Sequence, residues 1–475
     1  MTDLREQLSD IVGAAHVLSG ADAAGYLKDW TGQWSGTALA VVRPGTTEEV
    51  AAVVRLANAG GLSLTVQGGN TSVAGGSVPG QGEAGLVLSL TRMNRIRDID
   101  ARARTVTVDA GAIIQSVQEA VAPAGLDYPL MFGARGSATI GGALATNAGG
   151  SNVLRYGNAR DLCLGVEAVL PDGQVVHGLT GLRKDNTGYD LRHLLLGSEG
   201  TLAIITGAVL KLVPTPRVRA TAFLAVPDLD AALDVLNRLQ DASGGLVEAF
   251  EWLPAATVRA ILDHETGLRA PLDDLPEHGI LVELASTRPA DAEADATGTV
   301  GLDALMLEAV EGLMEAEQVT DGFFATSEQQ RIDLWALREA VLESIQANGP
   351  FLSLDASLPL SQVAGFIDRA ALLATAGNFR PLLVAHLGDG NVHYAVVAAA
   401  GHDWDALDRA GFVEQMTDLV VEMGGSFSAE HGIGRSKVAT LAARKDPAQI
   451  GLMRGIKQVF DPGTGLNPGV VLERG

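Results

Sequence analysis

Two short stretches near the C-terminal end hold residue types that can do chemistry together. His386-Leu387-Gly388-Asp389-Gly390-Asn391-Val392-His393 sets two imidazoles on either side of a tight turn, and Ser428-Ala429-Glu430-His431-Gly432-Ile433-Gly434 sets a carboxylate beside a third. Asp-Gly and Gly-Asn are hairpin-turn signals. The flanks Leu382 to Ala385 and Val392 to Val397 read as strands, so a hairpin closing over Gly388 to Asn391 would put His386 and His393 across from each other. Two histidines and the Glu430 carboxylate, with coordination positions left over, make a catalytic rather than a closed structural metal site. The competing reading is that these are surface or hydrogen-bonded core histidines, since Glu430 is brought to the pair only by inference.

The rest of the chain limits what such a site can serve. Its 475 residues leave room for two or three domains with ample core. The net charge of −23, from 57 acidic against 34 basic residues, argues against nucleic acid and anionic membrane surfaces as partners. A single cysteine, Cys163, excludes an internal disulfide and reads as core. The polar, acidic start carries no basic stretch followed by an apolar one. No run approaches the roughly 18 apolar residues of a membrane span, so a cytoplasmic protein, not integral to a membrane, is expected.

Ala38 to Leu62 reads as a strand, a Pro-Gly turn and a helix, the helix start signalled by Thr46 and Thr47 ahead of Glu48 and Glu49. A strand from Leu62 to Val66 then runs into the loop GGNTSVAGG at 68–76. Glycines let a backbone approach a ligand and let successive N–H groups converge on an anion, so this loop is a candidate phosphate cradle, or simply a turn. A second stretch of small residues, SATIGGALATNAGG at 137–150, leads to Arg155-Tyr156-Gly157 and would let a backbone lie flat along an extended cofactor. Strands are expected at Gly165 to Leu170, Gln174 to Val176 and Leu202 to Val213. Gly80, Gly82 and Gly85 spell G-x-G-x-x-G, but that fingerprint needs a strand before it and a helix after it. Here a strand, Leu86 to Leu90, follows it, which rejects a Rossmann NAD site, and no Walker-type loop is present to suggest an ATPase.

With KDNTGYD at 184–190 and GSEGTLAIIT at 197–206, this series resembles the FAD-binding domain of the vanillyl-alcohol oxidase and p-cresol methylhydroxylase flavoproteins. The resemblance implies an α+β fold. A two-subdomain FAD-binding domain would occupy 1–216, a ferredoxin-like antiparallel-sheet substrate-binding cap domain 217–417, and a C-terminal segment, 418–475, would carry the Glu-His motif back onto the FAD domain. It places Gly68, Gly69, Asn70, Thr71, Ser72, Gly75 and Gly76 on the pyrophosphate. Ser137, Thr139, Gly141, Gly142, Asn147, Gly149, Gly150, Ser151, Gly157, Glu199, Gly200 and Ile204 would line the rest of the cofactor. Many members bond the flavin through a histidine in the first loop; there is none here, so the FAD is expected to be non-covalent.

Pro214-Thr215-Pro216 reads as a boundary. Beyond it, strands at Thr221 to Val226, Leu246 to Trp252 and Gly279 to Ala285 alternate with helices at Leu229 to Leu239 and Thr299 to Ala316, the pattern of an antiparallel sheet with helices on one face. A helix from Ser327 to Ala347 carries Arg338, by itself an ordinary surface group. Together with Ser353-Leu354-Asp355-Ala356-Ser357-Leu358-Pro359, Phe460-Asp461-Pro462, Leu466-Asn467-Pro468-Gly469 and the two opening motifs, it is similar to the D-2-hydroxyacid dehydrogenase branch of the superfamily.

That resemblance implies FAD-dependent, metal-assisted oxidation of a D-2-hydroxy acid. His386, His393 and Glu430 would hold a divalent metal, zinc with manganese or iron as alternatives, and His431 would act as general base. Arg338 would bind the substrate carboxylate through its planar fork, and Asn391 would hydrogen-bond the substrate or a water on the metal. Glu430 and His431 are neighbours, so serving one site requires a bent turn at Gly432 and Gly434. Electrons would leave to an external acceptor, an electron-transfer flavoprotein, a quinone or a cytochrome; a homodimer is left open. Members that oxidise D-2-hydroxyglutarate carry a threonine four residues after the arginine and a lysine two before the aspartate. Leu342 and Ser353 stand at those places, which tilts the expectation toward D-lactate or a similar monocarboxylate, with D-2-hydroxyglutarate as the alternative. Outside the class stand a non-redox flavoenzyme of the alkyl-glycerone-phosphate synthase type and a non-catalytic electron carrier.

Overall fold

A computed structural model describes residues 2–474 apart from 83–84, 266 and 297. The chain divides into two compact units, the first made of Met1–Gly149, Tyr156–Pro214 and Glu430–Gly475, the second of Gly150–Arg155 and Thr215–Ala429. Among the described residues no helix is long and apolar enough to cross a membrane.

The first unit is built on two larger sheets, beside a two-stranded one of Leu126–Asp127 and Val213–Pro214. In one, Ala40–Val42, Gly85–Ser89 and Ser63–Gln67 run parallel, with Val17–Leu18 antiparallel at the edge. Parallel strands need a crossover connection, and the helix Thr47–Ala59 supplies it. Thr46 caps that helix by accepting from Glu49 N at 3.2 Å, and Val50, Val53, Val54 and Ala57 form its buried stripe. The second sheet, in the order Ile96–Asp100, Thr105–Asp109, Ile204–Lys211, Cys163–Val169, Val175–Gly178, is antiparallel throughout. One apolar core joins both sheets and includes Cys163, whose thiol burial pushes up to about 12. The C-terminal segment is tied in by Asn467, which accepts from Val66 N at 2.8 Å and donates to the Glu199 carbonyl at 2.7 Å.

The second unit runs to Ala429, beyond the expected boundary at 417, because the helix Arg409–Glu422 puts Phe412, Met416, Leu419 and Val420 into its core. Its sheet is antiparallel, in the order Asp321–Phe324, Val218–Val226, His278–Ser286, Val247–Pro254, Phe379–His386, Asn391–Ala398, Phe351–Ser357. Helices cover both faces, not the one face expected. Leu229–Ser243, Gly301–Glu315, Val363–Ala376 and Arg409–Glu422 contribute to the core on one side, and Ala255–His264, Glu328–Glu339 and Val341–Ala347 to the core on the other. The reason lies in strands such as His278–Ser286, which are apolar at both parities, so neither face can be left to water. The single helix expected over 327–347 is two, broken at Ala340, with Ser327 capping the first by accepting from Gln330 N at 3.3 Å.

Candidate active site

Strand parity decides which polar groups of the second unit meet. The hairpin pairs His386 with Asn391 and Val384 with His393, so the two imidazoles are diagonal neighbours on one face and not directly opposite. Their rings are perpendicular, 5.2 Å apart between centroids, and their ligand nitrogens come within 4.8 Å of each other. That spacing suits two bonds of roughly 2 Å to one cation. On the neighbouring strands Glu251 pairs with His386 and Asp355 with His393, putting both carboxylates on the same face. Asp355 Oδ1 lies 3.7 Å from His393 Nδ1.

Glu251 organises this face. It is 0% exposed, and its carboxylate takes His386 Nδ1 at 2.7 Å and Arg338 Nε at 2.6 Å, while Arg338 Nη2 lies 3.3 Å from His386 Nε2. Burial would raise its pKa, but the charges of His386 and Arg338 outweigh that and hold the carboxyl down to about 2. A carboxylate on Nδ1 fixes the ring orientation, as such a partner does for metal-ligating histidines, and turns Nε2 toward Arg338. Arg338 is therefore no solvated surface group; with its side chain 15% exposed it belongs to a buried ion pair.

Asn391 is 4% exposed, and neither its Nδ2 nor its Oδ1 has a hydrogen-bond partner among the described residues. Leaving such an amide unsatisfied costs about 1–3 kcal/mol, so its burial on this face makes sense once a ligand supplies the partners. In the turn beside it, burial pushes the Asp389 carboxyl up to about 6, against the pull of His386. Ser353 stands exposed on the Phe351–Ser357 strand, at the same parity as Asp355, and Leu342 is 42% exposed on the Val341–Ala347 helix.

In the first unit the two glycine-rich stretches lie against each other. A Cβ at Gly68 would stand 2.3 Å from Thr139 Oγ1, and one at Gly69 2.1 Å from the Ser137 carbonyl, so only glycine allows the contact. Gln67 Nε2 clamps the base of the loop by donating to Ser77 O at 2.8 Å, and Asn70 braces it by donating to Lys28 O and accepting from Ser77 Oγ. Among the described residues none accepts from the backbone N–H groups of 68–73. A braced loop with a run of unengaged N–H donors, following the C-terminal end of a parallel strand, fits a dinucleotide pyrophosphate. Gly75 has φ +71, while Thr71, Ser72 and Gly76 complete the same loop.

The other expected cofactor residues divide by what the fold asks of them. Thr139 Oγ1 caps the helix Ile140–Thr146 by accepting from Gly142 N, and a Cβ at Gly141 would meet Ala110 Cβ at 2.7 Å. Asn147, at φ +53, ends that helix and accepts from Arg160 N at 3.0 Å. Gly157 and Gly200 take left-handed φ, and Ile204 opens a buried strand. Gly149 lies in the first unit, Gly150 and Ser151 in the second. The carboxylate of Glu199 accepts from Ile433 N and Gly434 N, both at 2.7 Å. Glu430 and His431 begin the first unit's C-terminal segment, and the bent turn they require is there, with Gly432 at φ +74 and Gly434 at φ +54.

Glu251, and the use to which Glu199 is put, were not foreseen. For Glu251 a signal existed: Val247–Pro254 is a strand apolar at both parities, so a glutamate inside it must be buried and paired. Glu283 in His278–Ser286 obeys the same logic, accepting from Thr221 Oγ1 at 2.7 Å, Trp335 Nε1 at 3.0 Å and Arg331 Nη1 at 3.2 Å.

Residues 38–178 match the family described as FAD binding domain, and residues 215–471 that described as FAD linked oxidases, C-terminal domain. A D-2-hydroxyglutarate dehydrogenase of Xanthomonas citri pv. viticola is 38% identical over 462 residues, covering 95% of this chain and 93% of the relative. A mitochondrial D-2-hydroxyglutarate dehydrogenase of Bos taurus is 36% identical, over 93% of this chain and 78% of its own. The crystal structure of p-cresol methylhydroxylase with substrate bound superposes with a TM-score of 0.76 at 15% identity, over 99% of this chain and 97% of that one, a likeness of fold. The chain belongs to the FAD-linked oxidase family, in its D-2-hydroxyacid dehydrogenase branch, and is an FAD-dependent oxidoreductase.

Proposed function

We propose that the protein oxidises a small D-2-hydroxy acid to the 2-oxo acid with non-covalent FAD and a divalent cation, passing electrons to an external acceptor. The observation that carries this reading is the sheet face on which Glu251 orients His386 and Arg338 beside His393 and the unsatisfied amide of Asn391. FAD would supply the hydride acceptor, and a cation, for which His386, His393 and Glu430 are the proposed ligands, would supply a Lewis acid for the hydroxyl. His431 takes the hydroxyl proton as the Cα–H bond breaks. Arg338 neutralises the carboxylate, and Asn391 fixes the substrate by hydrogen bonding.

An apolar Leu342 and a short Ser353, at the positions where the resemblance implies threonine and lysine, favour D-lactate or another monocarboxylate. A second reading, D-2-hydroxyglutarate, is favoured by the names of the relatives at 38% and 36% identity. Anaerobic mixing with D-lactate, L-lactate and D-2-hydroxyglutarate, following the flavin band, decides between them. D-Lactate should bleach the flavin fastest; faster bleaching by D-2-hydroxyglutarate establishes the second reading, and bleaching by neither D-acid removes both. Leu342→Thr with Ser353→Lys should raise the rate with D-2-hydroxyglutarate relative to D-lactate by about tenfold, the value of one added charge-assisted contact. Exhaustive chelation should abolish bleaching and metal replacement restore it.

A further inference from the structure

Glu199 sits in a turn that the chain does not adopt freely. Its φ is +50, between Gly197 at +78 and Gly200 at +69, a left-handed conformation that strains a non-glycine residue. Asn467, through the Glu199 carbonyl, and Ala145 O, through the Glu199 N–H, hold the backbone in place. The side chain so presented meets the segment that follows His431: Oε1 accepts from Ile433 N and Oε2 from Gly434 N. A Cβ at Gly432 would lie 2.8 Å from Oε1, so the close approach needs that glycine. The same segment is fastened to the cradle loop, with Arg435 N and Ser436 N both donating to Ala74 O and a Gly434 Cβ placed 2.0 Å from that oxygen. A Cβ at Gly76 would in turn be 3.5 Å from Glu199 Oε2.

We infer that Glu199 is a positioning residue that fixes the Glu430–His431 segment against the cradle loop, setting the base at a constant place relative to the flavin. This rests on the roles proposed above for Glu430 and His431. Glu199→Gln keeps one acceptor and turns an NH2 toward the second N–H, so it loosens the segment without emptying the space.

The test compares the parent holoenzyme, Glu199→Gln, His431→Ala and the double variant. Glu199→Gln should retain the flavin absorbance of the parent, lose hydrogen-exchange protection at the Ile433 and Gly434 amides, and reduce its flavin about 10²-fold more slowly at saturating D-hydroxy acid, the cost of a misplacement near 1 Å. In the His431→Ala background the same change should cost less than about twofold, because groups acting as a unit are not additive. An equal loss in both backgrounds, or a parental rate in Glu199→Gln, overturns the inference. So does loss of flavin in Glu199→Gln that Glu199→Asp does not restore, since that marks a purely structural carboxylate. Full flavin reduction by His431→Ala overturns the base assignment itself, an outcome separate from the others.

Discussion

The two units are each organised by a glutamate, and the two are held in opposite ways. Glu251 is wholly enclosed between an imidazole and a guanidinium, which outweigh the burial penalty. Glu199 is met by two neutral backbone N–H groups at 2.7 Å. Desolvation pushes its carboxyl up, and those donors and the charge of Lys437 offset this only in part. Opposite charges hold a carboxylate strongly and fix which side chains surround it; backbone dipoles hold it less strongly but can fix a turn whatever its side chains. Glu251 thus arranges side chains on the sheet of the second unit, and Glu199 arranges a backbone turn at Ile433 and Gly434 in the first.

The larger consequence is for stability. Glu251→Ala leaves Arg338 facing His386 with no carboxylate between them, and breaking a buried pair from one side costs about 3–5 kcal/mol. Urea unfolding followed by tryptophan fluorescence should show it, Trp252 being the next residue in the strand. Removing both charges, Glu251→Gln with Arg338→Met, should recover at least half of that loss, because two well-packed neutral groups cost less than one stranded charge. If the double variant loses as much as Glu251→Gln and Arg338→Met combined, the two residues are not coupled, and the contrast with Glu199 loses its basis.

How far the site could be read in advance follows the same division. The turn at Gly388 to Asn391, the cap at Thr46, the glycine cradle at 68–76 and the bend at Gly432 and Gly434 are local matters of φ and hydrogen bonding, and local sequence carries them. The diagonal placement of His386 and His393 depends on the hairpin register, which turn residues alone leave open by one step. Glu251 is separated by 135 residues from the ring it holds, and Glu199 by 234 from Ile433. Pairings that distant are set by the order of strands in a sheet and by chain return, neither of which periodicity encodes. The second covered face of the sheet is hidden for a related reason: the helices that cover it, Ala255–His264 among them, pack on strands distant in sequence from one another.

The smaller effect separates dipole-held from charge-held carboxylates by pH. A group with a folded pKa above its ordinary 4.5 contributes most below pH 4.5 and loses that contribution as the pH climbs through the raised value. The Tm of the parent relative to Glu199→Gln should therefore fall as the pH rises above 4.5. Asp109 in the same unit is the charge-held control. It is fully buried, and Arg95 and Arg97 outweigh the desolvation that would raise it, so its pKa is lowered from 3.8. Its contribution is complete above pH 3.8 and is lost only as the pH falls below that. The parent relative to Asp109→Asn should accordingly be flat over the range in which the Glu199 difference declines. A Glu199 difference as flat as that of Asp109 would mean that two N–H donors and Lys437 hold the charge as well as a pair of arginines does, and that the two modes of holding a carboxylate are equivalent here.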